Sequence, residues 1–327
     1  MPKHVCALHA LWALAFGSSN LSAAPPADAQ VRVAVSSEAI TLLPVHLAQT
    51  LGFYRQEGLA VTLTQIASAA KTLDALRDGG IDVALGTTVP IQMAPEGRSL
   101  QGFLVVYSRT NAIVAVAHGA TSSIHSFADL KGRRVGVSNL GSGSQILLSY
   151  VLSVNGLQPA DVKAVAIGVG APALAAVEHG DVDAALLVGG AIDALLRAHP
   201  DTPILADMRT AEGSERVFGK ADFPGSLLIA EESWLKANPD TARRFVRAVK
   251  KAMQWMGEHS PDEIRAQMPN SETDPQTIRE FKQMLSPDGA IAPGSPELMY
   301  KVLAASLEKV RAARIDLSRA YTNEYLK

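Results

Sequence analysis

The sequence predicts an α/β protein of two Rossmann-like lobes with a ligand cleft between them and extra C-terminal helices on lobe one. Three observations predict it. The first is a duplication. Val31–Ser36 (VRVAVS) recurs as Arg133–Ser138 (RRVGVS) at an offset of 102, and Ala75–Leu85 (ALRDGGIDVAL) recurs as Ala176–Leu186 (AVEHGDVDAAL) at an offset of 101. Gly58-Leu59 has its counterpart in Gly156-Leu157. Three pairs, in order and at nearly constant offset, are hard to obtain by chance. The second is the alternation, within each copy, of short Val/Ala/Leu runs with helical patterns, which marks βαβ units and a parallel sheet. The third is the chemistry of the turns at the carboxyl ends of the strands. They are rich in Gly, Ser and Thr, and lie where open α/β sheets bind ligands.

Length and composition set bounds. The chain has 327 residues, 47% of them hydrophobic, enough for two cores. A formal net charge of −2 gives no footprint for nucleic acid, and 5% aromatics leave little to stack single-stranded bases. The N-terminus has the layout of an export signal. Lys3 precedes an apolar core, Val5–Phe16, and a small-residue region ends in Ala27-Asp28-Ala29. The expected division is a cleavable signal over 1–29, lobe one over 30–117, lobe two over 118–223, and a return to lobe one over 224–327. Cleavage after Ala23 is the alternative. The apolar core is too short to span a bilayer. Cys6 is the chain's single cysteine, so a mature chain would carry no disulfide.

Taken in order, Val31–Ser36 is the first strand, buried on both faces, and Ser36 and Ser37 stand at its carboxyl end. A helix starts near Thr41 with Pro44 in its first turn; Leu43 and His46 on it count as cleft-end candidates. Strand Ala60–Thr64, helix Ser68–Arg77 and strand Ile81–Leu85 come next. Gly86-Thr87-Thr88 then opens another helix, with Thr87 and Thr88 presenting hydroxyls at the turn. Leu100–Val106 ends beside Arg109, which is placed to pair a carboxylate or sulfonate or to hold a structural ion pair. Ala112–Ala117 extends into lobe two.

There the stretch Arg133–Ser144 is the centre of the reading. A short strand breaks at Asn139–Gly143, and a helix begins at Ser144 with Ile146, Leu147, Tyr150, Val151 and Val154 on its apolar side. Such a turn leaves backbone N–H groups free at a helix N-terminus, where they and the helix dipole favour an anion. Ser142, Gly143 and Ser144 are the candidates; the competing role for a serine here is to cap its own helix. Val162–Ile167 ends in Gly168–Pro172, which brings in Gly170. Asp183–Leu187 ends in Val188-Gly189-Gly190, where glycines let a ligand approach the backbone. Ser226–Ala230 returns to lobe one. Helices Pro239–Gly257, Pro261–Gln267, Asp274–Leu285 and Ser295–Ala313 close the chain. The first carries a basic face of Arg243, Arg244, Arg247, Lys250 and Lys251, read as solvated.

No metal-ligand spacing, Walker loop, nucleophile elbow or dinucleotide fingerprint is present. Binding is therefore favoured over catalysis, with no cofactor and no metal.

The chain resembles the periplasmic substrate-binding proteins of ABC importers, in the branch that includes nitrate, taurine, alkanesulfonate and thiamine-precursor binders. The residues that carry this are Leu43-Pro44-Val45 to Ala48 with Gly52-Phe53, Glu57–Val61, Ala128–Val137, Gly141–Ser144, Gly180–Ala185 and Tyr321-Thr322-Asn323. The resemblance implies a type II periplasmic-binding fold that closes over its ligand, a monomer in the periplasm, and a permease as partner. It places the ligand, a small organic anion of the sulfonate, carboxylate or nitrate class, between Ser36, Ser37, Thr87 and Thr88 on one side and Ser142, Gly143 and Ser144 on the other. Beyond Val188 this chain has Gly189-Gly190 where relatives often carry a proline or a bulky residue. Two alternatives stand beside it. One is a ligand-sensing module of a membrane receptor. The other is a thiamine-pyrimidine synthase, whose cysteine-rich motif this chain lacks.

Overall fold

The structure, a computed structural model, describes residues 28–35, 39–66, 68–268 and 273–327. The charged start and apolar core of the expected export signal, and Ser36 and Ser37, lie outside the described residues. Ten strands are seen among the described residues: β1 (Ala29–Val35), β2 (Leu59–Gln65), β3 (Ala84–Leu85), β4 (Leu100–Tyr107), β5 (Ala112–Val116), β6 (Arg134–Val137), β7 (Lys163–Ala166), β8 (Ala184–Val188), β9 (Ile204–Asp207) and β10 (Ser226–Glu231).

They form two sheets of the same order. In the second, the order is β7-β6-β8-β5-β9. In the first, the pair β1-β2 and the trio β3-β10-β4 are joined by a parallel bridge from Val33 to Val83, giving β2-β1-β3-β10-β4. Each sheet has three parallel strands from one half of the duplication. Each then receives an antiparallel strand beyond a crossing between the sheets: β5 lies between β8 and β9, and β10 between β3 and β4. The crossing falls at residues 108–111, so Ala112–Val116 belongs to the second sheet. The strand's own hydrogen bonds to β8 and β9 settle this, against the sequence boundary near residue 117.

The duplication also repeats one contact. Arg32 donates from its backbone N–H (2.7 Å) and its guanidinium (3.0 and 2.7 Å) to Asp82. Arg134 donates in the same three ways to Asp183, at 2.8, 3.3 and 3.1 Å. Each clasp ties a first strand, at its middle in β1 and its first residue in β6, to the residue one or two positions ahead of a third. The bidentate fork fixes strand register as well as charge.

Lobe one buries Phe245, Val246, Val249, Met253 and Met256 of helix Pro239–Glu258 as the heptad-like spacing predicts, and Tyr54 stacks on Phe245 at 5.4 Å. The basic face of that helix is largely held by the protein itself. Glu57 accepts from Arg247 (2.9 Å) and Lys251 (2.7 Å), and Arg244 donates to the carbonyls of Glu57 and Gly58. In lobe two, helix Gly143–Val154 is buried along most of its length. Its Tyr150 stacks on Phe218, which stacks on Phe223. Val154, expected on the apolar side, is exposed because the helix ends there, at Asn155.

The C-terminal helices reach both lobes. Helix Ser295–Ala304 packs on Gly143–Val154 and on Val89–Met93. Helix Pro275–Gln283 meets helix Gly190–Ala198 through Thr277–Asp193 (2.6 Å) and Arg197–Asp274 (2.6 Å). The helix expected over Ser295–Ala313 is two, Ser295–Ala304 and Glu308–Ala312.

The two crossings touch backbone to backbone. The Gly225 N–H donates to Tyr107 O at 2.9 Å, and a Cβ on Gly225 would lie 1.9 Å from Arg109 O. A carbonyl in a crossing strand has no rotamer to escape by. Gly225→Ala is therefore expected to lower stability by about 2 kcal/mol, within the range for overpacking, read as a depressed thermal midpoint. An unchanged midpoint would show that the crossings are free to separate.

Candidate functional site

The site is built on strand ends. In lobe two, helices begin at the carboxyl ends of the neighbouring strands β7, β6 and β8, at Ala171, Gly143 and Gly190. Three positive dipole ends thus share one rim. Ser142 is the N-cap of the second of them, its Oγ accepting from Gln145 N–H at 3.5 Å. The structure thus gives Ser142 the capping role. Gly170 (φ 62, ψ −132) and Gly189 (φ 62, ψ −149) cap the other two with no side-chain hydrogen bond. Their backbone lies in a region essentially closed to residues with a Cβ, so both glycines are required by conformation, and the amides beyond them stay uncovered by side chains. Val188 is half-buried at the end of β8.

Around Ser142 three hydroxyls form a ring. Ser138 Oγ and Ser144 Oγ are 2.8 Å apart, Ser142 Oγ and Ser144 Oγ 2.8 Å, and Ser138 Oγ and Ser142 Oγ 3.1 Å. Ser142 donates its proton to Asn139 O at 2.6 Å, which leaves the protons of Ser138 and Ser144 to circulate. The Ser144 hydroxyl is buried and also accepts the Ser138 N–H at 2.9 Å, so its side chain braces the turn. Gln145 Oε1 closes the loop by accepting from Gly141 N–H at 2.6 Å. Among the described residues, no acceptor faces the N–H of Gly143 or of Ser144. Two amide donors at the head of a 12-residue helix, beside a rotatable hydroxyl ring, suit an oxyanion.

In lobe one, Thr87 and Thr88 are tied inward. Thr87 Oγ1 donates to Gly225 O (3.3 Å), Tyr321 OH donates to Thr87 O (2.9 Å), and Gln92 Nε2 donates to Thr88 Oγ1 (3.0 Å). Beside them the carboxyl ends of β1, β2 and β3 surround an apolar recess of about 290 Å3, lined by Val35, Leu42, Ile66, Leu73, Leu85, Val89 and Ile229. Leu42, not Leu43, faces it. A 3-10 turn over Ala39–Leu42 precedes the helix, and both leucines are buried in the lobe-one core. His46 is half-buried, its Nε2 has no hydrogen-bond partner, and burial lowers its pKa, which keeps the ring neutral at pH 7.

Arg109 does not project from either rim. Its Nε donates to Arg209 O at 3.0 Å, one Nη donates to Gln283 O, and the other pairs with Asp222 at 3.6 Å. The guanidinium holds the two crossings and a C-terminal helix together, the structural alternative left open for it by the sequence. Ser138, Leu42 and Tyr321 were not singled out as cleft residues from sequence. Ser138 left a signal as the hydroxyl that ends the repeated strand, and Tyr321 as part of the motif Tyr321-Thr322-Asn323.

Helix Ser295–Ala304 bridges the lobes, packing on Val89–Met93, which follows Thr88, and on Gly143–Val154, which follows Ser142. Two lobes of one sheet topology, joined by paired crossings, are the fold of the periplasmic binding proteins. The chain belongs to the NMT1/THI5-like family, whose model matches residues 40–264. It is similar to a solved structure from Bordetella bronchiseptica RB50, with 29% identity, 91% of this chain and 96% of that one covered, and a TM-score of 0.76. It shares the fold of the periplasmic aliphatic sulphonate binding protein SsuA from Escherichia coli, with 20% identity, coverage of 89% and 91%, and a TM-score of 0.65. It is also 23% identical over 222 residues to 4-amino-5-hydroxymethyl-2-methylpyrimidine phosphate synthase THI13 of Saccharomyces cerevisiae, covering 65% of this chain and 63% of the synthase. No helix among the described residues is long and apolar enough to cross a membrane.

Proposed function

We propose that this protein is the solute-binding component of an ABC importer, capturing a small organic anion between its lobes in the periplasm and presenting it to a membrane permease. The observation that carries the reading is the pair of unpartnered amides of Gly143 and Ser144 above the Ser138–Ser142–Ser144 hydroxyl ring. A helix N-terminus contributes about 0.3–1 kcal/mol when exposed and up to ~2 when partly buried. Micromolar capture takes roughly 8 kcal/mol. One turn is insufficient, so the uncapped helices after Gly170 and Gly189 and burial between the lobes supply the rest. Closure over the solute then couples binding to the conformation a permease meets.

The export signal expected over 1–29 fits this location, and β1 bears on where it ends. Ala29 is already in the strand, with its N–H on Gly58 O at 3.1 Å. Cleavage after Ala23 keeps that bond, whereas cleavage after Ala29 removes it.

The test is native mass spectrometry of protein purified from its own host, followed by calorimetry against sulfonate, carboxylate and nitrate panels. The expected result is a co-purified anion that is released chemically unchanged. A chemically altered product would favour an enzyme, and the absence of binding across all three panels would overturn the reading.

A further inference from the structure

We propose that the recess between the later turns of helix Pro239–Glu258 and the chain that follows helix Pro275–Gln283 is a docking groove for an acidic peptide segment of a partner protein, one in which carboxylates alternate with apolar side chains. The groove shares no lining residue with the candidate site on the strand ends and does not depend on what the cleft binds.

The recess has a volume of about 520 Å3. Arg247, Lys250 and Lys251 line it from one helix and Lys282 from the other. Asp288 is the one carboxylate among the lining residues, and its Oδ1 already accepts the Ala290 N–H at 2.8 Å. The whole chain carries a net charge of −2, so this excess of cations is local rather than background. Their donors are only partly used. Arg247 gives its Nε and one Nη to Glu57, at 3.0 and 2.9 Å, and keeps the second Nη. Lys251 gives one N–H to Glu57 at 2.7 Å, and Lys282 gives one to the His259 carbonyl; an ammonium has three to give. Lys250 has no partner among the described residues.

The apolar lining lies deeper than the charges. Met253 is 5% exposed, and Leu285 and Leu326 are half-buried. The side chains of Arg247 and Lys251 are each 45% exposed. A solvated basic face needs no such floor. Arg247, Lys250, Lys251 and Gln254 stand at i, i+3, i+4 and i+7 on one helix face, a row about 10 Å long at the helical rise. An extended peptide sets every second side chain on one face, about 7 Å apart. Carboxylates at alternate positions match the row of cations, and the residues between them turn to the floor.

Other occupants satisfy only part of the groove. No aromatic side chain lines it to stack a nucleobase. A flat anionic bilayer reaches the ammonium heads but not a concave floor. A small inorganic anion leaves that floor in water.

The probes are acetylated octapeptides titrated into the full chain by calorimetry: one alternating Glu and Leu, one alternating Glu and Ser, and one alternating Lys and Leu. Phosphatidylglycerol vesicles are tested by co-sedimentation. The Glu/Leu peptide is expected to bind roughly tenfold more tightly than the Glu/Ser peptide, through the apolar surface it buries. Its affinity should fall about tenfold as salt rises from about 0.05 to 0.5 M. Lys250→Glu, which breaks no contact within the chain, should weaken it by about fivefold with an unchanged thermal midpoint. Gly143→Pro, at the head of a lobe-two helix, should leave it unchanged.

Glu/Ser or Lys/Leu peptides binding as tightly as Glu/Leu, or an unchanged affinity in Lys250→Glu, would overturn the proposal. A loss of binding in Gly143→Pro would seat the peptide in the cleft and overturn it as well. So would the absence of peptide binding, with or without sedimentation on the vesicles.

Discussion

Gly143→Pro is expected to weaken capture of the anion by 10- to 100-fold while leaving the thermal midpoint unchanged or slightly raised. Gly143 is the first residue of its helix, where proline is favoured because the N–H there has no partner inside the helix. The preceding residue, Ser142, sits at φ −77 and ψ 169, inside the extended region that a following proline imposes. A Cβ at Gly143 meets nothing within 4 Å. The substitution thus deletes one donor and little else. Hydrogen bonds to charged groups are worth about 1.5–3 kcal/mol, which gives the range stated. The loss of unfolded-state freedom stabilises the folded chain by about 0.4–1 kcal/mol. Calorimetry with the bound solute and a thermal melt read the two effects separately. Unchanged affinity would remove Gly143 from the site, and a much lower midpoint would show that the turn needs glycine for its own geometry.

The parts of this architecture that were legible in the sequence are those written in short range or in repetition. The 101- and 102-residue offsets located the equivalent strands, and with them Asp82 and Asp183. Their shared task, the clasp on Arg32 and Arg134, shows only when the strands are laid side by side. β9 was missed because Ile204–Asp207 is a four-residue edge strand with an exposed first residue, too short to show a period. The split at Ala305–Leu307 has no glycine or proline to mark it.

The surroundings of the candidate residues follow the same rule. Leu43 belongs to the apolar face of its helix and is buried, while Leu42 of the preceding 3-10 turn lines the recess. Arg109 reads as a free cation at a strand end because its acceptors, Arg209 O and Gln283 O, come from 100 and 174 residues further along. The cap at Ser142 and the glycine turns at Gly170 and Gly189 were legible because capping and positive-φ backbone are local chemistry; their contact with a ligand is part of the proposal.

Glu280→Gln is expected to stabilise the protein at pH 8 by about 2 kcal/mol relative to the parent and to have little effect at pH 5. Glu280 lies on helix Pro275–Gln283 against Asp193 of helix Gly190–Ala198, which begins at the rim. Asp193 is 5% exposed. Thr277 donates to its Oδ2 at 2.6 Å, but no donor faces its buried Oδ1 while both acids are ionised. Arg209 pairs with Glu280 at 3.2 Å but is already forked onto Asp207 at 2.8 Å. Burial first, and Asp193 second, push Glu280 up to about 7, with Arg209 opposing. A carboxyl whose folded pKa lies above its unfolded value contributes stability that is complete below about pH 4.5 and is lost as pH rises through 7. A shift of about 2.5 units corresponds to at most ~3.4 kcal/mol, reduced here because Glu280 retains some solvent. Glutamine offers Asp193 Oδ1 an N–H at every pH. His46 works the other way: its lowered pKa makes stability rise with pH through about 6.5. The parent's own profile mixes the two effects. The difference between parent and Glu280→Gln cancels His46 and isolates the Glu280 carboxyl. Parallel stability profiles from pH 5 to 8 would mean that the Glu280 carboxyl is not raised in the folded chain, and that the contact between the C-terminal helix and lobe two is indifferent to pH.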